Sequence, residues 1–160
     1  MTAAVSAQQF SLVIAPATEA QLPFVLDSWA RSYQPFMPDY ARTYGMGKWG
    51  WTQWCAERLV HMSPVLVAAL EDVPDVALGW ACGEPGLVHW CYVKQPARGH
   101  GIASELMAML CRGHERTGGR MTHRPGKHLR AQAHALGWRY EPLTREDFDD
   151  VPSEAECNVE

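Results

Sequence analysis

The sequence predicts an α/β (α+β) fold: one domain built on an antiparallel meander, with amphipathic helices before and after it. Three observations predict it. Three strand-like apolar runs, at 64–70, 76–82 and 87–93, follow one another across turns that hold Pro74 and the tripeptide Glu84-Pro85-Gly86. Helical spacing flanks them on both sides, with Leu22, Val25, Leu26 and Trp29 before the runs and Ile102, Leu106, Met109 and Leu110 after them. The chain of 160 residues is 47% hydrophobic and 20% charged, ordinary for one globular domain and long enough to bury a core without a disulfide or metal staple.

Residues 1–9 read as a flexible leader, followed by a strand at Phe10–Ala15. Thr18 and Gln21 form a capping-box pattern, so a helix is expected over 19–33 until Pro35 and Pro38 break it. A second helix fits 48–61, where Trp51, Trp54, Cys55, Arg58 and Leu59 recur on one side and Pro64 closes the region. After the meander, the helical stripe from Ile102 ends at Gly113, Gly118 and Gly119. A strand over Arg120–His123, a helix over Lys127–Leu136 stopped by Gly137, and a strand over Trp138–Tyr140 complete the pattern. The domain is thus expected to span 10–144, and the acidic segment 145–160 to be loosely ordered.

Charge is unevenly distributed. Between Lys94 and Arg139 there are nine basic residues and two acidic ones, whereas 145–160 holds seven acids and a single Arg. A basic segment inside a chain of net charge -4 points to an anionic ligand such as a nucleotide or polyphosphate. Nucleic acid is open as a partner, although no nucleic-acid-binding motif accompanies the charge. No apolar run approaches the roughly 20 residues of a membrane span, and no Lys or Arg precedes Arg31, so the basic start of a secretory signal is missing. The five cysteines contain no C-x-x-C pair, and Cys82, Cys91 and Cys111 fall in apolar runs. A cytoplasmic protein without a metal site is expected.

The informative stretch is Leu87–Leu110, in which a strand runs through a Pro-containing turn into a Gly-rich helix start. Amides at a helix start lack intrahelical partners and carry the positive end of the helix dipole, so Arg98-Gly99-His100-Gly101-Ile102-Ala103 can surround a pyrophosphate. Gly99 and Gly101 let the backbone approach closely, and Ala103 keeps the first turn thin. The P-loop and dinucleotide-binding strings are absent. The string Arg98-x-x-Gly101-x-Ala103 instead resembles the Q/R-x-x-G-x-G/A acyl-CoA loop of the GCN5-related N-acetyltransferase (GNAT) family. Cys91-Tyr92-Val93-Lys94-Gln95-Pro96-Ala97 looks like that family's strand-four exit, and Leu136-Gly137-Trp138 resembles its late L-G-F element.

The resemblance implies a mixed, mostly antiparallel sheet with helices on both faces and a splayed central strand pair. It implies an N-acyltransferase that uses acetyl-CoA, or another acyl-CoA, as co-substrate. The backbone of Tyr92 and Val93 would pair with the pantetheine arm, amides of Gly99, His100, Gly101, Ile102 and Ala103 would hold the pyrophosphate, and Arg98 would add charge at the mouth. The acceptor would be a primary amine on a small molecule, peptide or nucleobase, and the protein a monomer or homodimer. A non-catalytic acyl-CoA-binding module is the alternative.

The sequence departs from the family at two positions. Relatives place an acid Tyr and a cofactor-contacting Asn where this chain has Ala133 and Gly126. His134 is the neighbouring candidate acid. Candidate bases are Glu84, at the meander turn, and His89, which strand alternation puts on one face with Cys91 and Val93. In the aromatic-rich first third, Tyr33, Tyr40 and Tyr44 are the candidates for an acceptor pocket.

Overall fold

A computed structural model describes residues 11–33, 48–113 and 118–148. The strands are β1 (Leu12–Pro16), β2 (Val65–Leu70), β3 (Val73–Glu84), β4 (Leu87–Val93), β5 (Arg120–Met121) and β6 (Arg139–Tyr140). The helices are α1 (Leu22–Tyr33), α2 (Lys48–Met62), α3 (Ile102–Leu110) and α4 (Lys127–Ala135). All six strands lie in one sheet in chain order, antiparallel from β1 to β4 and parallel from β4 to β6. Each parallel step needs a crossover, which α3 and α4 supply. No helix among the described residues is long and apolar enough to cross a membrane.

Helices cover both faces of the sheet because its strands alternate apolar side chains between two cores. Val65, Val67, Trp80 and Cys82 pack with Val25, Trp29 and Tyr33 of α1 and with Trp51, Cys55 and Leu59 of α2. Ala68, Ala81 and Val88 pack on the other face with Ile102, Leu106 and Leu110 of α3. The indoles within the first core need hydrogen-bond acceptors, and α1 provides two of them one turn apart. Trp80 Nε1–H donates to Ser28 Oγ at 2.8 Å and Trp90 Nε1–H to Ser32 Oγ at 2.9 Å. The capping pattern at the start of α1 is formed, since Thr18 N–H donates to Gln21 Oε1 at 3.0 Å.

Three local expectations are corrected. β3 starts at Val73 rather than Val76, because a two-residue connection closes the hairpin and Leu70 pairs with Val73. Pro74 is accommodated there because the ladder is irregular between Ala69 and Leu70. The strand expected over Arg120–His123 ends at Met121, and its last two residues serve the site described below. The acidic segment is not loose from its start. Arg145–Phe148 forms a 3-10 turn, Thr144 N–H is held by Asp147 Oδ2 at 2.6 Å, and Phe148 is buried with its ring 4.8 Å from that of Trp54.

The Leu136-Gly137-Trp138 element has a packing role. A Cβ on Gly119, just before β5, would lie 2.6 Å from the Trp138 indole, so only glycine lets β5 and β6 approach beneath that ring. Gly119→Ala is expected to destabilise the fold by about 1–3 kcal/mol through overpacking, which a thermal melt reads as a fall of roughly 3–10 °C. An unchanged midpoint would show that the indole yields freely.

Candidate functional site

The site is organised by an irregularity in β4. Cys82 pairs with Trp90 but Gly83 pairs with Val88, which makes His89 the extra residue of a β-bulge. Beyond the bulge β4 keeps β3 as its partner through Val93, whereas its pairing with β5 stops at Val88–Met121. Thr122 N–H still donates to Val88 O at 3.1 Å; past that point β5 is gone and the central pair is splayed. Lys94 N–H donates to Leu78 O at 2.8 Å, so by alternation the polar backbone of Tyr92 faces β3 while that of Cys91 and Val93 faces the open edge.

The chain leaves this edge into a loop that can hold an anion. A 3-10 turn at Gln95–Ala97 redirects it, and Arg98 Nε–H reaches back to Val93 O at 2.9 Å, tying the loop to the strand end. Gly99 and Gly101 adopt φ of +82° and +80°, and a Cβ on either would meet nothing within 4 Å, so open space lies over both. Gly101 caps α3, and Glu105 N–H is bonded back to Gly101 O at 3.1 Å. The amides of Ile102, Ala103 and Ser104 precede any helical acceptor and project from the helix start. Ile102 is buried against the α3 core and anchors that turn, whereas Ala103 is exposed and leaves it thin. The His100 ring folds onto its own loop, with Nδ1 3.0 Å from Arg98 O. Lys94 Nζ sits 4.5 Å from the centre of the Phe24 ring.

On the α1–α2 side of β4 lies a small cavity lined by Tyr33, Trp51, Thr52, Cys55, Thr122, His123 and Leu143. Behind it runs a buried polar chain whose proton order is fixed by its Trp29 end. Trp29 Nε1 only donates, so His123 Nε2, 3.1 Å away, accepts and the His123 proton sits on Nδ1. That Nδ1–H faces Thr122 Oγ1 at 2.9 Å, and the threonine hydroxyl passes its own hydrogen to His89 Nδ1, also at 2.9 Å. His89 then donates from Nε2 to Ser63 Oγ at 3.0 Å. Both imidazoles are neutral near pH 7. Burial, reinforced by Arg120, lowers the His89 pKa to about 4, and burial holds His123 well below the ordinary histidine value. Burial likewise pushes the Cys55 thiol up to about 12, so the cavity wall presents a protonated thiol.

The structure places the sequence candidates unevenly. His89 does not share a face with Cys91 and Val93: the bulge shifts the alternation, and both ring nitrogens are engaged in the buried chain. Glu84 is exposed at the hairpin, opposite Leu87. It is thus about 20 Å along β4 from Val93 at roughly 3.4 Å per residue. His134 is exposed on the last turn of α4. The backbone at the open edge is that of Cys91 and Val93, while that of Tyr92 faces β3, and the Tyr92 ring packs on the α1 side, 6.3 Å from that of Phe24. Tyr33 lines the cavity, buried between the rings of Trp90 at 5.2 Å and His123 at 4.1 Å. Tyr40 and Tyr44 lie outside the described residues. Thr122 and His123 were missed because they read as strand residues, and Trp51 and Cys55 because they read as core, which they also are.

No protein-family model and no curated protein matches the sequence. Solved structures do match in shape. The aminoglycoside N-acetyltransferase AAC(6')-Iy bound to CoA is 16% identical, covering 86% of this chain and 95% of that one with a TM-score of 0.50. The same enzyme with the bisubstrate analogue CoA-S-monomethyl-acetylneamine gives 16%, 84%, 95% and 0.51. A Pyrococcus furiosus protein described as a candidate acetyl transferase is 15% identical over 84% of this chain and 97% of that one, with a TM-score of 0.52. The chain therefore carries the acetyltransferase fold that its resemblance to the GCN5-related N-acetyltransferases implied.

Proposed function

We propose that the protein transfers an acyl group, most simply acetyl, from CoA to a primary amine by direct attack. The observation that carries this reading is the continuity of two features: an edge at Cys91 and Val93 with no strand beside it leads straight into a glycine-lined, cationic helix start. Amides from Gly99 to Ala103 would bind the pyrophosphate, with Arg98 at the mouth. The pantetheine amides would pair along the open edge as a further strand would. The thioester then lies in the splay, where the amine attacks it. Its lone pair forms the N–C bond, the Val93 N–H supports the oxyanion, and collapse breaks the C–S bond and expels CoA thiolate. His89 has no free nitrogen to act as base, so the proposed route passes the amine proton to water or to the displaced thiolate.

Acetyl-CoA titrated into the protein in a calorimeter is expected to bind with a micromolar Kd, and a panel of primary amines, including amines on nucleobases, is expected to contain one that releases free CoA thiol. Absence of both heat and thiol release with acetyl-CoA and longer acyl-CoAs would overturn the reading. That His89 has both ring nitrogens engaged, and that Ala133 stands where relatives place the acid Tyr, favours a second reading, an acyl-CoA-binding module. Binding without thiol release across the panel would select it.

A further inference from the structure

We propose that Thr122 is a positioning residue: its hydroxyl clasps the imidazoles of His89 and His123 and so fixes the angle at which β4 and β5 part to admit the thioester. This rests on the acyl-CoA reading above, but its support is separate. Backbone pairing between the two strands ends at Val88 and Met121, with only Thr122 N–H to Val88 O beyond it. A splay starting there has no ladder to set its width. What spans the strands at that vertex is the side-chain chain, in which Thr122 Oγ1 lies 2.9 Å from Nδ1 of His89 and 2.9 Å from Nδ1 of His123.

The bulge is what makes the clasp available. As the extra residue in β4, His89 is turned toward Thr122 and Ser63, where regular alternation would have sent it to the α3 side with Cys91 and Val93. Each end of the chain is anchored in a separate helix: Trp29 belongs to α1, and Ser63 directly follows α2. Thr122 and His89 are buried and His123 is 4% exposed, so no solvent substitutes for a lost partner. Threonine suits the central position because a hydroxyl accepts from one ring and donates to the other at once, which fixes one tautomer on each side. The residue acts through two rings that each pack on the cavity wall or on β4. It does not need to touch the thioester.

The test compares Thr122→Val, which keeps the shape and removes both hydrogen bonds, with Thr122→Ser, which restores the hydroxyl. Acetyl-CoA affinity is measured by calorimetry at a temperature where circular dichroism shows each variant folded. Thr122→Val is expected to weaken binding at least tenfold and Thr122→Ser to return to within about threefold of the parent protein. Nitrogen-15 spectra of the parent are expected to show the proton of His123 on Nδ1 and that of His89 on Nε2, with His89 losing its single tautomer in Thr122→Val. If Thr122→Val does not fold, Ser63→Ala releases the His89 ring from the other end and carries the same comparison. Parent affinity in Thr122→Val with only a lowered melting temperature, or a parent His89 protonated on Nδ1, would overturn the clasp and leave the acyl-CoA reading intact. A parent protein that binds no acyl-CoA would overturn both.

Discussion

Gly101→Glu is expected to lower acetyl-CoA affinity by on the order of 100-fold or more while leaving the protein folded, because the juxtaposition of like charges at a binding surface costs several kcal/mol. Gly101 caps α3 at φ +80°, and a Cβ added there meets no protein atom within 4 Å. What the new side chain does meet is the ligand, since a carboxylate would stand over the amides proposed for the pyrophosphate. The left-handed backbone adds a strain of about 1–2 kcal/mol for a residue with a Cβ, and a control must separate strain from charge. Gly113 provides it, with φ +85° and the same open surroundings. It lies about 18 Å farther along the helix direction, at 1.5 Å per residue. Gly113→Glu carries the same strain and the same charge, and should bind acetyl-CoA as the parent does. Gly101→Ala should fall between the two. Equal weakening at both glycines would reduce the effect to a loss of fold stability, and an unaffected Gly101→Glu would remove the pyrophosphate from this helix start.

The glycine-lined loop and helix start were legible in the sequence because their requirements are local. A helix start that approaches a phosphate needs small residues at fixed offsets and a strand in front of it, and Val93 to Ala103 shows both within a dozen positions. The meander and the four helices were legible for the same reason, as periodicity and turn residues report on near neighbours. The small cavity was legible only at Tyr33. Its other walls bring Trp51, Cys55, Thr122 and Leu143 from distant parts of the chain, and none of these carries a pattern that separates pocket from core. The misplacement of His89 shows the physical cause most directly. Alternation is a rule for unbroken strands, and one inserted residue at the bulge moves a side chain to the opposite face. Nothing around Val88-His89-Trp90 announces that insertion. The buried Phe148 turn was likewise hidden, since seven acids dominate the composition of a segment whose fourth residue is nevertheless a core aromatic.

The same buried chain predicts a strong loss of stability in mild acid. His89 has a folded pKa of about 4 against 6.5 for an unperturbed histidine, and that of His123 is displaced in the same direction. Below pH 6.5 the unfolded chain takes up protons that the folded chain refuses, so stability falls as pH is lowered and keeps falling until the folded pKa is reached. Each such proton costs about 1.4 kcal/mol per pH unit, so His89 alone removes on the order of 3 kcal/mol between pH 6.5 and about 4. The charges that meet His89 push the same way: Arg120 on β5 disfavours a second cation, and a protonated His123 would do so too. Protonating His89 also breaks the chain at Thr122, and protonating His123 breaks it at Trp29, because His89 Nδ1 and His123 Nε2 are acceptors only while neutral. Urea unfolding followed from pH 7.5 to pH 4.5 should give an unfolding free energy that drops with a slope of about one to two protons across this interval. His89→Gln, which keeps hydrogen-bonding capacity without a titrating ring, should be less stable at pH 7.5 and shallower in slope by about one proton. A flat profile in the parent protein, or an equal slope in His89→Gln, would mean that the imidazoles are not held neutral in the folded core.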